Sequence, residues 1–308
     1  MSDVHTALGL QVLQRDWLSS NQVLLRCADG GGATVVDTGY ATHAPQTVAL
    51  LESALAGVPL AQIVNTHLHS DHCGGNAALQ ARWPQARTVV PQAAFDKAQT
   101  WDEERLSYRL TGQRCDRFRV DAALVAGTEV QLGDHAWQVH ATGGHDPDAV
   151  VLFEPRHRVL ISGDALWRDK VAVIFPELDG DAGFGPALQT LDQIEALDPA
   201  LVIPGHGAPF TEVADALAIS RSRLRKMQAQ PLSHARHALR VLIMFHLLEH
   251  RSRPRSALCE WLARAPLLRR AGVRQLLPME PMDLAQHILQ SLIDDGAVIE
   301  SHDTVALA

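Results

Sequence analysis

The chain contains no run of eighteen or more apolar residues, so no membrane-spanning helix is expected. Its first residues, Met1 to Leu13, lack a basic stretch followed by an apolar core. They do not read as a secretory signal, and a cytoplasmic location is the expectation. Cysteine is scarce. Cys27, Cys73, Cys115 and Cys259 are far apart and form no CxxC, which argues against a disulfide frame or a structural zinc knot and for ordinary reduced thiols. Internal repeats, low-complexity stretches and long linkers are also missing.

What is present is apolar bulk and histidine. The 308 residues are 46% hydrophobic, enough for a large core, in one large domain or one domain with an appendage. Sixteen histidines are many, and the informative ones are those clustered with Asp and Gly. The net charge of −8 is unevenly spread. Between Ser220 and Leu276, thirteen Arg or Lys face two acids, Glu249 and Glu260, which leaves that segment near +11 and the remainder near −19. The segment reads first as an Arg-rich helical surface balanced by an acidic domain. The other reading is a basic surface for RNA or another polyanion.

Residues 8–40 alternate as strands do, with a turn at Gly30-Gly-Gly32. Thr47 to Leu55 has helical spacing and stops at Gly57. Leu60 to Asn65 is a short buried strand that runs into His67-Leu-His69-Ser-Asp71-His72, and a helix follows from Asn76 to Arg82. Thr88 to Val90 is a strand. Residues 93–118 are polar and helical and suit a lid. Further strands are read at Thr128–Leu132, His135–Ala141, Val150–Glu154, Arg158–Ser162 and Ala200–Ile203, with a helix at Ala187–Leu197. Strands and helices alternating with hairpins near both ends predict an α/β sandwich of mixed sheets covered by helices.

The character changes near Pro209. Helices are predicted over Ala214–Ala229, Ala235–Arg251, Arg255–Ala263 and Asp283–Asp294. A short hairpin, Ala297–Glu300 with Thr304–Leu307, follows. This order suggests a small winged-helix-like module, so the expected division is 1–212 and 213–308. Such modules bind nucleic acid, pack on a neighbour or dimerise, and a homodimer is one expectation. His246 falls at core spacing with Leu239, Leu242, Ile243 and Leu247 and reads as structural.

Four loops after strands carry the chemistry: His67-Leu-His69-Ser-Asp71-His72, Gly143-Gly-His145, Gly163-Asp164 and Pro204-Gly-His206-Gly207. They offer five His and two Asp, a ligand set that suits zinc and also iron or manganese. His67 and His69 are two apart in an extended or turning segment, so their side chains can converge on one ion. Asp71 and His72 arrive as the chain turns into the next helix and point to a neighbouring ion. Glycines flanking the ligands allow tight turns close to a metal. Any one of these pieces is common in turns, but all four in order, each after an apolar strand, point to a metal site.

Through these four motifs, with Val35-Val-Asp37-Thr-Gly39 as an early strand-turn, residues 8–210 resemble the metallo-β-lactamase superfamily. The resemblance implies a four-layer αβ/βα sandwich with two divalent ions at the sheet edges. His67, His69 and His145 would bind one ion, Asp71, His72 and His206 the other, and Asp164 would bridge them. It implies a hydrolase in which a hydroxide shared by the two ions attacks a carbonyl or phosphorus. Asp71 beside it would orient it or move a proton, and no Ser or Cys nucleophile is needed.

Several features narrow the family. His69 stands where a diiron oxygen-reducing branch tends to carry Glu, and no flavodoxin-like domain follows. No cysteine lies in a ligand loop. About forty residues separate Asp164 from His206, too few for the large insertion of the nucleases of this fold. The layout resembles a "lactamase-β-2-like" branch that includes thioesterases and a ribonuclease. The leading expectation is a hydrolase of a small ester, thioester or lactone. The alternatives are an endoribonuclease on single-stranded RNA, a mononuclear iron persulfide dioxygenase, and a low-turnover regulatory protein. Asp146-Pro-Asp148 departs from the small hydroxyl residue and Pro-Gly of many relatives. Asp146 reads first as an exposed turn residue and second as a partner orienting a ligand His. Trp167 and Phe175 edge the expected cleft, and core packing explains them equally well.

Overall fold

The computed structural model describes residues 2–308. The first sheet holds six strands in chain order, β1 (Leu10–Leu13), β2 (Gln22–Arg26), β3 (Ala33–Val36), β4 (Leu60–Val64), β5 (Arg87–Pro91) and β6 (Ala122–Leu124). β1 to β3 pair antiparallel, and β3 to β6 pair parallel. The second sheet comprises β7 (Glu129–Leu132), β8 (His135–Ala141), β9 (Val150–Glu154), β10 (Val159–Gly163) and β11 (Leu201–Pro204), ordered β11-β10-β9-β8-β7. Its pairs are antiparallel except β10 with β11.

The period-two geometry of β2 shows how the layers form. Val23 and Leu25 point inward and share a core with Trp137, Leu152, Ile161 and Ile203 of the second sheet. Leu24 points the other way and packs with Val35 and Ile63 on Leu51 and Leu55 of the helix Ala44–Leu55. On the far side, Val151, Phe153, Leu160 and Val202 meet Leu191 and Ile194 of the helix Phe184–Leu197 and Leu217 of the helix Val213–Ala229. With both faces covered, these strands are near-continuous apolar runs rather than alternating ones. The result is the expected helix, sheet, sheet, helix sandwich.

Two expectations for this part need correction. β6 was not anticipated, because Ala122-Ala-Leu124 carries little strand signal of its own. Much of the 93–118 segment is packed rather than free, although Thr111 and Gln113 do edge the cleft over the centre. Ala94, Ala98, Leu106, Tyr108 and Phe118 are buried against Leu68, Cys73 and Val90, and the Tyr108 hydroxyl donates to the Leu68 carbonyl at 2.9 Å. The segment buttresses the His67–His72 loop from behind.

Beyond Gly207 come the helices Val213–Ala229, Pro231–His250, Arg255–Arg264, Ala271–Leu276 and Pro281–Asp294. A small sheet of β12 (Ser252–Pro254), β13 (Val298–Ser301) and β14 (Thr304–Leu307) accompanies them, ordered β12-β14-β13. The hairpin expected near the end of the chain is therefore formed. Apart from the helix Val213–Ala229, which packs on the sandwich, these elements share a core of Leu239, Leu258, Leu262, Ile288 and Leu289, into which Val173 and Leu178 from the sandwich also insert. The Tyr40 hydroxyl donates to the Glu249 carboxylate at 2.9 Å, a second tie between the two parts. His246 is buried and stacks on Trp261, as a structural residue should. Arg221, Arg240, Arg255, Arg264 and Arg270 are ion-paired to the chain's own carboxylates. Among the described residues, no helix is long and apolar enough to cross a membrane.

Candidate metal centre

Strand ends deliver every candidate ligand. β4 leads into the loop that carries His67, His69, Asp71 and His72. β8 leads to His145, β10 ends at Gly163 before Asp164, and β11 ends at Pro204 before His206. All seven residues come together in two groups. The first is His67, His69 and His145, and the second is Asp71, His72, Asp164 and His206.

In the first group, His69 Nδ1 lies 3.1 Å from His67 Nε2 and 2.8 Å from His145 Nε2. In the second, His206 Nε2 is 3.1 Å from Asp71 Oδ2, and His72 Nε2 is 3.2 Å from Asp164 Oδ1. The other oxygen, Asp164 Oδ2, is 3.5 Å from His145 Nε2, so Asp164 faces both groups.

Second partners fix the rings. His72 Nδ1 is 2.8 Å from Asp37 Oδ2, and His145 Nδ1 donates to the Val173 carbonyl at 2.6 Å. Each contact assigns an N–H to Nδ1, so Nε2 is the atom whose lone pair an ion would take. Asp37 also accepts from the Thr66 amide at 2.9 Å and the Thr66 hydroxyl at 2.8 Å, and that hydroxyl is 3.1 Å from His67 Nδ1. Asp37 thus braces one ligand of each group. It does so from a left-handed backbone (φ 60°), a conformation sparsely occupied except by Gly, Asn and Asp.

Gly205 has a specific steric role. A Cβ there would meet Asp164 Oδ1 and lie 2.6 Å from the His72 ring, so only glycine lets the chain carry His206 past the second group.

The electrostatics are those of a centre built for cations. Burial first, then His72 and His69, push His67 well below the usual imidazole range. Burial and His145 lower His69 to about 4. Burial works against charge on His72 too, but Asp164, Asp37 and Asp71 outweigh it and hold His72 well above the usual range. Burial likewise opposes ionisation of Asp164, yet His72 and His206 hold it well below the usual carboxylate range. Asp71 is lowered in the same way, by His72 and His206 against burial.

These residues fit divalent metal ions. Neutral imidazoles and ionised carboxylates are the donors that zinc takes. Nitrogens bound at 2.0–2.1 Å in a tetrahedron would be roughly 3.3 Å apart, close to the spacing of the first group. Among the described residues, His72 Nε2 is buried with no hydrogen bond of proper geometry despite the nearby Asp164 oxygen, and His206 Nδ1 is buried without a partner.

Reasoning from the sequence missed Trp17 and left Trp167, Phe175 and Asp146 with two readings each. Trp17 stacks on His206 with ring centroids 5.2 Å apart, and nothing in the sequence around it signals this. The Trp167 indole N–H donates to Asp164 Oδ1 at 3.1 Å, and Phe175 lies beside His69 and His145. Both edge the centre, and Phe175 also packs against the core of the C-terminal helices. Asp146 is buried, not exposed. One of its oxygens accepts from the Asp148 amide at 2.8 Å, and the other is 3.8 Å from His69 Nε2. The turn that Pro147 predicts is therefore present, and Asp146 lies near His69 without a hydrogen bond to it.

The sandwich, with one group of three histidines and one of histidines and aspartates at its strand ends, defines a metallohydrolase of one known class. The family model for the metallo-beta-lactamase superfamily matches residues 15–206, and the chain belongs to that superfamily. A hydroxyacylglutathione hydrolase of Anaeromyxobacter dehalogenans is 32% identical over 66% of this chain and 70% of its own length. A second, from Maricaulis maris, is 31% identical over 51% of this chain, which spans only 52% of that relative. Among solved structures, a metallo-beta-lactamase family protein of Thermus thermophilus aligns over 97% of this chain and 99% of its own, with TM-score 0.52 and 21% identity. That last likeness concerns the fold alone.

Proposed function

We propose that this chain is a dinuclear zinc hydrolase that cleaves a thioester, with small esters and lactones as chemically related substrates. The observation that carries the reading is the position of Asp164, whose two oxygens face the two ligand groups. His67, His69 and His145 would hold one ion, and Asp71, His72 and His206 the other, with Asp164 between them. When bound, such ions acidify water and polarise a carbonyl oxygen. The thioester is favoured by the hydroxyacylglutathione hydrolases among the relatives.

The chain's own residues prepare the reaction. Asp71 lines the cleft and, held by His206, is placed to orient the attacking water and take its proton. Trp17 and Trp167 cover His206 and keep bulk water from it. The Trp167 N–H occupies one lone pair of Asp164 and fixes its carboxylate plane.

Residues 213–308 form, in this reading, a winged-helix-like domain that walls the cleft rather than binding nucleic acid. Five of its basic residues already pair with carboxylates. A reducing, cytoplasmic compartment suits the four cysteines, all free thiols.

The test is elemental analysis of untagged protein with the His206→Ala variant, followed by thioester hydrolysis with and without salt. About two zinc per chain, falling towards one in the variant, with salt-tolerant hydrolysis, supports the reading. One iron and no zinc would instead indicate the dioxygenase, and steeply salt-sensitive RNA cleavage the ribonuclease.

A further inference from the structure

A cleft of about 910 Å³ lies over the metal centre, with His69, Asp71, His145, Asp164 and His206 on its floor. Its opposite wall is one face of the helix Pro231–His250, with Ser233, His237, Val241, Met244, Phe245 and Leu248 at spacings of three and four. The chemistry of that face changes along its length. It is polar at Ser233 and His237, then wholly apolar from Val241 to Leu248, about 10 Å of helix at 1.5 Å per residue. These four apolar side chains are only half-buried, although they face the cleft. Leu307 of β14 extends the apolar end.

The polar end is cationic. Arg223 and Lys226 reach the cleft from the end of the helix Val213–Ala229. Among the described residues neither has a carboxylate within ion-pair distance, whereas Arg221 on the same helix is held by Asp192 and Glu195. Apart from the candidate metal-binding residues, Asp169 is the one acidic side chain among the described residues that lines the cleft.

The centre lies between the two ends. On one side, Val173 holds His145, and the next residue, Ile174, donates its N–H to His234 near the polar end, at 3.3 Å. On the other, Ser70, beside His69, donates to Gln113 at 2.5 Å, and Gln113 shares a small cavity with Phe245.

We propose that the cleft selects an amphiphilic acyl thioester. An anionic thiol carrier docks on Arg223 and Lys226, the carbonyl lies over Asp164, and an unbranched apolar acyl chain runs along Val241 to Leu248. Water adds across the C–S bond, which breaks to give a carboxylic acid and the free thiol. The proposal rests on the hydrolase reading above for the reaction, but not for the binding.

The experiment uses the full-length, metal-loaded protein and S-alkyl coenzyme A thioethers with methyl, hexyl and decyl chains, which cannot be hydrolysed. Their binding is measured by titration calorimetry, alongside hydrolysis of the matching acyl thioesters. Each added methylene should tighten binding about two- to fourfold until the apolar face is covered. Phe245→Gln should flatten that dependence and leave the methyl compound unchanged. Leu248→Gln serves the same purpose should Phe245→Gln fail to fold. Arg223→Ala with Lys226→Ala should weaken all three chains equally and reduce the salt dependence. Equal affinity for all chain lengths, or hydrolysis of acetyl thioester without any preference for longer chains, overturns the proposal while leaving the hydrolase intact. Chain-length-dependent binding with no hydrolysis of any thioester supports the cleft assignment and removes the hydrolase reading instead.

Discussion

Asp164 presents Oδ1 to His72 Nε2 at 3.2 Å and Oδ2 to His145 Nε2 at 3.5 Å. A single carboxylate thereby joins groups that come from four different strand ends. An amide in its place keeps the shape but loses the charge and one acceptor. Asp164→Asn should lower metal affinity by more than the roughly 10–100-fold that loss of an outer partner costs. Zinc content after dialysis, with circular dichroism to confirm folding, measures this. Unchanged zinc in the variant would place the joint elsewhere.

Asp37 offers a subtler test, because it touches no ion and braces both His72 and, through Thr66, His67. Asp37→Asn should weaken metal binding about 10–100-fold. Both groups should be affected, so competition with a chromophoric chelator should show two weakened steps. Weakening of one step alone would mean that the Thr66 relay contributes nothing.

The seven candidate residues were legible in the sequence because each is tied to a local pattern, an apolar strand ending in Gly, His or Asp. The sandwich was legible for the same reason, since strand and helix periods alternate along the chain. What escaped depends on distance along the chain. Trp17 reaches His206 across 189 positions. β6 exists because β5 offers it an edge, not because Ala122-Ala-Leu124 favours a strand. Residues 93–118 looked polar enough for a cover, yet Ala94, Ala98 and Tyr108 fall on one buried side. Asp146 read as exposed because Pro147 marks a turn, and only the fold shows that this turn packs against His69.

The raised pKa of His72 makes metal loading dependent on pH. Asp164, Asp37 and Asp71 overcome burial and hold His72 above the usual imidazole range, so the metal-free group keeps a proton at neutral pH. An ion bound at Nε2 must displace it. Zinc binding should therefore release a proton, and apparent affinity should rise with pH up to the displaced pKa and level off above it. Calorimetry at pH 7 in two buffers of different ionisation enthalpy reads the proton count. A count of zero would show that His72 is neutral before the metal arrives.

Gly205 sits where a side chain would collide with Asp164 and the His72 ring. Gly205→Ala must displace one of the second group's ligands, because the nearby backbone of Gly163 is pinned by a hydrogen bond from the Gly205 amide at 2.7 Å. The expected outcome is retention of about one ion per chain with hydrolysis lost. Two tightly bound ions and normal turnover in Gly205→Ala would show that the loop relaxes freely.

Tyr108 separates a buttress from a cover. Its hydroxyl donates to the Leu68 carbonyl at 2.9 Å, within the loop that holds His67 and His69, and lies 3.2 Å from the Cys73 sulfur. Tyr108→Phe removes that donor from a buried carbonyl and should cost about 1–3 kcal/mol of stability. Because the lost bond anchors the ligand loop, zinc affinity should fall along with the melting temperature, while KM for a thioester changes little. A cover would behave in the opposite way, with stability kept and KM raised. Thermal unfolding of the zinc-loaded and chelator-treated forms, measured beside steady-state kinetics, decides between the two roles.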